Sequence, residues 1–364
     1  MGQDFYSLRE RFALEGDNLR SVMDWIRDDR PGLALHFAGM LQKFETGWMH
    51  YREARSWLEP AIEQARKLLD NKSADIDMTD FIRALQAYGW LLVTHGDMIK
   101  GHAILDESIR LAREYEEFRI LAFALGIKAQ AMGTSVTREV IEQMNEAIVL
   151  GRHRGYEIEL VMLLFSAGQA YLAKDDLEKG KEHIEEAIHK LENFDVPFVN
   201  AWASIAHAQM AMVYQDMTKA EKYLLLASDT YDNLGDQRMA TNARSLLAHI
   251  YCNEGRINEA LALYHQTILA WQEQGHQSAV AHQLECLAYI AILGQQYEHA
   301  AQLLGAPQKA RERLNAHSTD LQEINELEQA MSQLEVELGA NDRDRMISKG
   351  ELMSLDEAVT LALA

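Results

Sequence analysis

The chain has 364 residues, of which 48% are hydrophobic and 25% are charged, and its formal net charge is −21. These proportions are ordinary for a soluble folded protein, but the negative charge would repel a nucleic-acid duplex or an anionic lipid surface. The densest basic stretch, Lys309 to Arg313, holds three positive charges and one Glu, so we expect neither direct nucleic-acid binding nor membrane binding.

The cysteines argue against a disulfide framework or a zinc site, and the N-terminus argues against a signal peptide. Cys252 and Cys286 are too few for a disulfide framework and lack the closely spaced His or Cys partners of a zinc site. The N-terminus is acidic and polar, unlike a signal peptide, and no apolar run approaches the ~20 residues that span a bilayer. We therefore expect a cytoplasmic protein with no metal and no cofactor.

The pattern of residues 1–78 predicts an irregular N-terminal helical repeat or cap. Helical periodicity surrounds Trp25 and continues from Leu35 to Phe44. Pro60 lies within the next helical pattern and is expected to kink it, because proline cannot donate a backbone hydrogen bond. Residues 69–77 are then expected to form a loop.

Residues 79–316 repeat six times at intervals of about 40 residues. Two series of mostly small residues define the repeat, and small residues let two helix axes approach closely. We therefore predict a pair of helices in each repeat, with one crossing position on its first helix and another on its second. The first-helix series is Gly89, Ala129, Gly168, Ala208, Ala248 and Ala288; the second-helix series is Gly101, Val140, Gly180, Ala220, Ala260 and Ala300.

Turn residues separate the predicted helices. Glycine or aspartate precedes each second helix, as in Gly96-Asp97-Met98, and the second helices are expected to end near residues spaced about 40 apart. Glycine tolerates the left-handed conformation that helix C-termini favour, and aspartate does so less well. These predicted ends are Gly155, Asp195, Gly235 and Gly275.

The helical-hairpin repeat resembles the tetratricopeptide pattern, whose usual period is about 34 residues. HEAT repeats have a similar length to the repeat here, but the spacing of small and aromatic residues fits tetratricopeptides better. The expected fold is all-α, with fourteen or more helices wound into a right-handed superhelix and no sheet.

Residues 317–364 differ from the repeats and are expected to form a C-terminal helical cap. Pro307 is expected to interrupt the second helix of the last repeat. Thr319-x-x-Gln322 resembles a capping box that opens a helix running to about Leu338, and Ser354-x-x-Glu357 is expected to cap a final short helix.

Both ends of the chain resemble the C-terminal sensor region of bacterial STAND-class ATPase regulators, including LuxR-type transcriptional regulators. The N-terminal resemblance lies in Gly16-Asp17-Asn18-Leu19-Arg20 and Asp24-Trp25. At the C-terminus it lies in residues 300–306, 311–314 and 354–358. The resemblance implies a tetratricopeptide sensor that regulates an attached ATPase outside this chain.

Two other functions stay open beside the sensor. A free-standing tetratricopeptide scaffold or co-chaperone-like adaptor requires only the fold. An enzyme with an unfamiliar helical active site is the third reading, but no pair of carboxylates can be placed as acid and base, and no H-E-x-x-H or phosphate-binding loop occurs. We therefore predict a non-catalytic module that binds a protein, a peptide or a small-molecule inducer.

The expected ligand surface is the concave face of the first helices. The register selects side chains one residue after, three before and six before each first-helix crossing position. Apolar side chains and amides alternate there, which suits a bound peptide. The predicted ligand-binding residues are Trp90, Gln130, Met162, Phe165, Gln169, Trp202, Ile205, Gln209, Asn242, His249, His282 and Tyr289.

The absence of a phosphate-binding loop from the sequence yields a prediction about nucleotides. We expect no tight ATP binding and no ATP hydrolysis by this chain, because no residues cradle the phosphates and the net charge is negative. Isothermal calorimetry checks this, and a micromolar affinity for ATP would contradict it.

Overall fold

A computed structural model describes residues 15–41, 51–71, 76–132, 136–155, 157–192, 197–314 and 321–364. Across these ranges the chain forms eighteen helices and no strand, which confirms the all-helical prediction. None of the helices described is long and apolar enough to cross a lipid bilayer.

The helices are numbered here in chain order. The N-terminal helices are α1 (Gly16–Asp29), α2 (Pro31–Leu41) and α3 (Tyr51–Asp70). The six helix pairs are α4 (Met78–Thr94), α5 (Met98–Glu114), α6 (Phe118–Met132), α7 (Arg138–Arg154), α8 (Glu157–Leu172), α9 (Leu177–Leu191), α10 (Pro197–Val213), α11 (Met217–Asn233), α12 (Gln237–Asn253), α13 (Ile257–Glu273), α14 (Gln277–Leu293) and α15 (Tyr297–Leu314). The C-terminal helices are α16 (Leu321–Leu338), α17 (Ala340–Glu351) and α18 (Leu355–Ala362).

The chain divides into two compact units. Unit 1 comprises residues 1–94, 98–206 and 234–237, and unit 2 comprises residues 95–97, 207–233 and 238–364. The division falls within α10, so Trp202 and Ile205 belong to unit 1 and Gln209 belongs to unit 2. The predicted domain boundaries at residues 78 and 316 stay a prediction.

The crossing positions bring paired helices into direct contact. A Cβ atom added to Gly168 of α8 would lie 2.5 Å from Ile184 Cγ1 and 3.1 Å from the Gly180 carbonyl oxygen. A Cβ on Gly180 would in turn lie 2.5 Å from Leu172 Cδ2 and 3.2 Å from the Gly168 carbonyl oxygen. The two backbones touch at this point, because no side chain separates them.

The same register holds in unit 2, with alanine in place of glycine. Ala208, Ala248 and Ala288 on the first helices are fully buried, and so are the three alanines at the second-helix crossings. The sequence therefore predicted correctly that these positions are buried. The second-helix alanines are Ala220, Ala260 and Ala300.

The turns also follow the repeat, through residues with positive φ. One set lies five residues before five of the second-helix crossings, and another lies fifteen residues after four of them; the remaining positions lie outside the described residues. Three of the predicted helix ends are thereby confirmed as left-handed, whereas Asp195 lies outside the described residues. The first set is Gly96, Asp175, Gln215, Gly255 and Gln295; the second is Glu116, Gly155, Gly235 and Gly275.

The prediction that Pro307 interrupts the last second helix is wrong. Helix α15 runs from Tyr297 to Leu314 with Pro307 inside it, and α3 likewise continues through Pro60. A proline inside a helix costs one backbone hydrogen bond and crowds the carbonyl of the preceding turn. Burial of Leu303, Leu304 and their neighbours offsets that cost in α15.

The C-terminal region confirms one predicted cap. The Glu357 backbone N–H donates to Ser354 Oγ at 3.2 Å, and the Ser354 N–H donates to Glu357 Oε2 at 2.7 Å. The predicted helix to Leu338 is present as α16, but its capping residue Thr319 lies outside the described residues.

Helix α17 crosses α15 at a pair of glycines, which the sequence analysis did not foresee. A Cβ on Gly305 would lie 2.1 Å from the Ile347 carbonyl oxygen, and a Cβ on Gly350 would lie 2.0 Å from the Gln302 carbonyl oxygen. Such overlap excludes any side chain, so only glycine permits this crossing.

The crossing positions predict the effect of a larger side chain. Ala248→Leu should lower the free energy of unfolding by about 1–3 kcal/mol, because the fully buried crossing has no space for added carbons. Ala262→Leu is the matched control, since Ala262 is exposed on α13. Urea denaturation followed by circular dichroism compares them, and equal midpoints for both variants would show that the register is wrong.

The left-handed turns predict a stabilising substitution. Gln295 has a φ of 58°, which costs a non-glycine residue about 1–2 kcal/mol. Gln295→Gly should therefore raise the free energy of unfolding by up to about 1 kcal/mol, after the entropy cost of glycine is subtracted. Gly255→Gln should do the opposite, because Gly255 occupies the equivalent turn and has no atom within 4 Å of an added Cβ. Thermal unfolding of both variants measures this, and a loss of stability for Gln295→Gly would contradict it.

Candidate functional site

One face of the first helices in unit 1 carries the predicted ligand-binding residues, and we call it the unit-1 stripe. It consists of the side chains one residue after and six residues before the crossing positions of α4, α6, α8 and α10 within unit 1. Gln130 is exposed, and the others are partly exposed. The partly exposed members are Trp90, Phe123, Met162, Gln169 and Trp202, with Arg83 at the N-terminal end.

The positions three residues before the crossing are buried instead. Phe165 and Ile205 are only 5% and 4% exposed, so their predicted place on an open ligand surface is corrected. This position faces the neighbouring first helix: a Cβ on Gly126 of α6 would lie 3.2 Å from Ser166 Oγ of α8. Phe165 and Ile205 therefore contribute to the core beneath the stripe.

Phe165 nevertheless supports one stripe residue directly. Its ring meets the Trp202 indole edge-on, with centroids 6.1 Å apart and an interplanar angle of 74°. Edge-on aromatic pairs are favourable beyond their buried area, and they restrict the ring orientation. Trp202 is thus a partly exposed aromatic side chain held on a buried one.

The chemistry of the unit-1 stripe suits a peptide. Trp90, Met162 and Trp202 offer apolar contact area, and the amides of Gln130 and Gln169 can both donate and accept hydrogen bonds. Apolar pockets beside a few placed polar groups are the usual composition of binding sites. No charged side chain dominates the central part of this stripe.

The corresponding unit-2 stripe is more polar. Its predicted members all lie on α10, α12 or α14 and are all partly exposed. Two imidazoles, two amides and one phenol replace the indoles and thioether of unit 1. These residues are Gln209, Asn242, His249, His282 and Tyr289.

Beneath the unit-2 stripe lies a buried network of hydrogen bonds. The Gln283 amide nitrogen donates to Ser245 Oγ at 2.8 Å, and Thr267 Oγ1 donates to Gln283 Oε1 at 2.9 Å. Trp271 Nε1 also donates to Ser245 Oγ, at 3.0 Å. The network joins α12, α13 and α14, and it satisfies polar groups that would be costly to bury alone.

A two-hydrogen-bond ion pair links α14 to α15. Arg311 donates through Nε and Nη2 to the two oxygens of Glu285 at 2.8 and 2.7 Å. Both side chains are largely buried, at 17% and 9% exposed. In earlier second helices the register position of Arg311 holds a buried apolar or aromatic residue, as at Tyr231 and Trp271.

Helix α16 lies on the side of unit 2 that carries this stripe. It packs against α14 and α15. Hydrogen bonding to Cys286 raises the pKa of His249, and the charge of Glu326 on α16 raises it further. In unit 2, α16 occupies part of that side.

The sequence analysis missed the side chains that surround Cys286. Both cysteines were considered only for a disulfide framework or a zinc site, although the 40-residue register places Tyr289 at the position equivalent to His249 and puts Cys286 one turn before it. That proximity could have indicated a contact with His249. Among the described residues, no three His, Cys, Asp or Glu side chains are arranged to hold a metal ion.

Comparisons with known proteins support the fold. No protein-family model matches the sequence, and no curated protein sequence matches it. The structure is similar to that of a Rap protein complexed with competence and sporulation factor, with a TM-score of 0.60, 15% identity, and coverage of 99% of this chain and 97% of that one. It is also similar to NprR in complex with its cognate peptide NprX, with a TM-score of 0.51, 12% identity, and coverage of 95% and 92%. The predicted tetratricopeptide-like helical-repeat fold is confirmed.

Proposed function

We propose that this chain is a non-catalytic binding module that holds a peptide segment of a partner protein on the unit-1 stripe. The observation that carries the proposal is the row of partly exposed apolar side chains and amides on successive first helices. Apolar side chains supply affinity when a ligand covers them, and amides can pair with a peptide backbone.

Trp202 is the expected anchor of the bound segment. Its indole is partly exposed and is positioned by the edge-on contact with Phe165. A pre-positioned ring loses little conformational freedom on binding, and tryptophan is enriched among the residues that dominate interface energies.

The two structural neighbours add support from their ligands. One is bound to competence and sporulation factor, and the other is bound to its cognate peptide. Their similarity to this chain extends over nearly the full length of each, so the fold is one that holds such ligands elsewhere. A small-molecule inducer is the alternative ligand. Such an inducer would be recognised because it would not displace a bound peptide from the protein.

The unit-1 stripe is a better peptide surface than the unit-2 stripe. In unit 2, α16 packs on α14, and Glu285 and Ser245 are engaged in buried contacts. A peptide there would have to compete with these contacts, whereas in unit 1 the Gln130 amide is exposed and the Trp202 indole is partly exposed.

Selection from a phage-displayed library of short random peptides tests the proposal. We expect the protein to enrich peptides with apolar residues, and Trp202→Ala to weaken binding of the enriched peptides at least about tenfold while the protein stays folded. Val149→Ala is the matched control, because Val149 is 51% exposed on the second helix α7 and lies off the stripe.

Gln130→Ala separates amide pairing from apolar contact. Gln130 is exposed, so its loss should weaken binding without lowering the melting temperature. Gln209→Ala tests in the same way whether the amide of the unit-2 stripe contributes to peptide binding. If folded Trp202→Ala and Gln130→Ala variants both bind the enriched peptides normally, the stripe is structural and the proposal fails.

We further propose that the module regulates an attached STAND-type ATPase in the cytoplasm. The resemblance at both chain ends supports this, and so does an exposed apolar face on α1, where Val22 and Trp25 are 38% and 60% exposed. Such a face suits contact with a further module. The expected finding is a G-x-x-x-x-G-K-[ST] segment encoded in the same reading frame, with ATP hydrolysis that changes when an enriched peptide is added. A reading frame without that segment would leave the free-standing adaptor as the function.

A further inference from the structure

An open cavity of about 520 Å³ lies in the C-terminal part of unit 2. It is bounded by the first turns of α15, the last residue of α16 and the second half of α17. Its volume is within the range of ~300–1,000 Å³ that small-molecule sites occupy in proteins. Because the cavity opens to solvent, a small molecule has a direct route into it.

The glycine crossing of α15 and α17 fixes two walls of the cavity. The two backbones touch at Gly305 and Gly350. Gln302 lies one turn before the first of these glycines, and Met346 lies one turn before the second, and both line the cavity. The separation of these walls is therefore set by backbone contact, so the cavity is already formed before a ligand enters.

One side of the cavity is apolar. Leu338 at the end of α16 is partly exposed, and Met346 of α17 is only 6% exposed. A methionine thioether is polarisable and adapts to the shape of an apolar group. An aliphatic or aromatic group of a ligand would lose its contact with water here, which is favourable.

Two hydrogen-bond donors of the cavity have a methionine sulfur as their partner among the described residues. Lys349 Nζ lies 3.6 Å from Met346 Sδ, and Gln302 Nε2 lies 3.8 Å from Met353 Sδ. Thioether sulfur is a weak acceptor, so both donors retain hydrogen-bonding capacity. A ligand carboxylate would replace these weak contacts with stronger, charge-assisted hydrogen bonds.

Glu298 supplies the opposite charge at the same cavity. It lies in the first turn of α15 and is exposed. Within the described part of the chain, neither Glu298 nor Lys349 forms an ion pair, whether with each other or with a third residue. Burial lowers the pKa of His299, which keeps this neighbouring imidazole neutral at pH 7. Lys349 is therefore the one cation among the described residues that line the cavity.

The two separate charges decide between classes of ligand. A nucleotide or another polyanion would find one ammonium beside a carboxylate, which is too little positive charge for its phosphates. A simple carboxylic acid would be opposed by Glu298 and by the net charge of −21. A zwitterion has no net charge, and it offers a partner to Lys349 and to Glu298 at once.

We propose that this cavity binds a free α-amino acid with an apolar side chain. The carboxylate of the amino acid accepts from Lys349 and Gln302, and its ammonium group donates to Glu298. Its side chain covers Leu338 and Met346. The cavity lies among the C-terminal helices and the last repeat, so the amino acid is a ligand distinct from a peptide on the unit-1 stripe, and its binding does not depend on that peptide.

Calorimetric titration of the full chain with L-leucine, L-methionine and L-phenylalanine tests the class of ligand. We expect saturable binding of at least one of them, with a Kd of about 1 mM or lower. Isocaproate is leucine without its ammonium group, and isoamylamine is leucine without its carboxylate; both should bind at least about tenfold more weakly than leucine. Absence of saturable binding by all three amino acids would overturn the proposal, and so would equal affinities for leucine and isocaproate.

Lys349→Met and Glu298→Gln test the site with the amino acid that binds most tightly. Both side chains are exposed, so the variants should stay folded. Each should weaken binding at least about tenfold, and Glu298→Gln should also strengthen binding of isocaproate, because the opposing carboxylate is gone. The matched controls are Lys309→Met and Glu328→Gln, which change exposed side chains outside the cavity. Unchanged affinity in both cavity variants would show that the amino acid binds elsewhere and would overturn the proposal.

The methyl group of Met346 reports the position of the ligand directly. In protein with isotope-labelled methionine methyl groups, the variant Met346→Leu identifies its resonance by loss of one peak. We expect this resonance to shift as the amino acid is added, whereas that of Met144, which is buried in unit 1, should stay in place. A Met346 resonance that does not move at saturation would contradict the proposed site.

Discussion

Direct backbone contact between paired helices is the constraint on which the rest of this structure depends. At Gly168 and Gly180 no side chain lies between α8 and α9, and a Cβ on either residue would overlap its neighbour. This contact fixes the distance and the rotation of that pair, and small residues stand at the same positions in most of the others. Once rotation is fixed, every other side chain on the helix has a determined direction, because successive residues are set 100° apart. The crossing therefore determines which side chains of the pair are buried and which lie on the surface.

The direction of each side chain explains how one helix face supplies both buried core residues and partly exposed residues. Residues three before the crossing lie towards the neighbouring first helix, so Phe165 and Ile205 become core. Residues at the two flanking positions lie further out and stay partly exposed, as Trp202 does. A ligand surface on this fold therefore rests on a layer of packing residues within the same helices. Changes to Phe165 should alter the orientation of Trp202, because the two rings meet edge-on.

The repeat, the helix pairs and the Ser354 cap could be predicted from sequence, because each depends on local spacing or on residue size. Continuity of α15 through Pro307 could not, because it depends on burial of the surrounding residues. The Gly305–Gly350 crossing and the Cys286 cluster were missed for a related reason. Each joins residues from different helices whose pairing no local pattern records. Of the candidate surface, the register did not separate the partly exposed rows from the buried one.

The Arg311–Glu285 pair has a consequence for how many repeats the array can contain. Solenoids grow by stacking apolar flanks, and an uncovered apolar flank invites end-to-end polymerisation. Tyr231 and Trp271 are the buried aromatic residues at this register position of earlier second helices, whereas Arg311 places a guanidinium at the same point of α15. Stacking another unit there would remove the remaining water from a charged pair, which is costly in a dry interface. An internal copy of α15 would therefore be less favourable than an internal copy of α13, because it would carry this charged pair into the middle of the array.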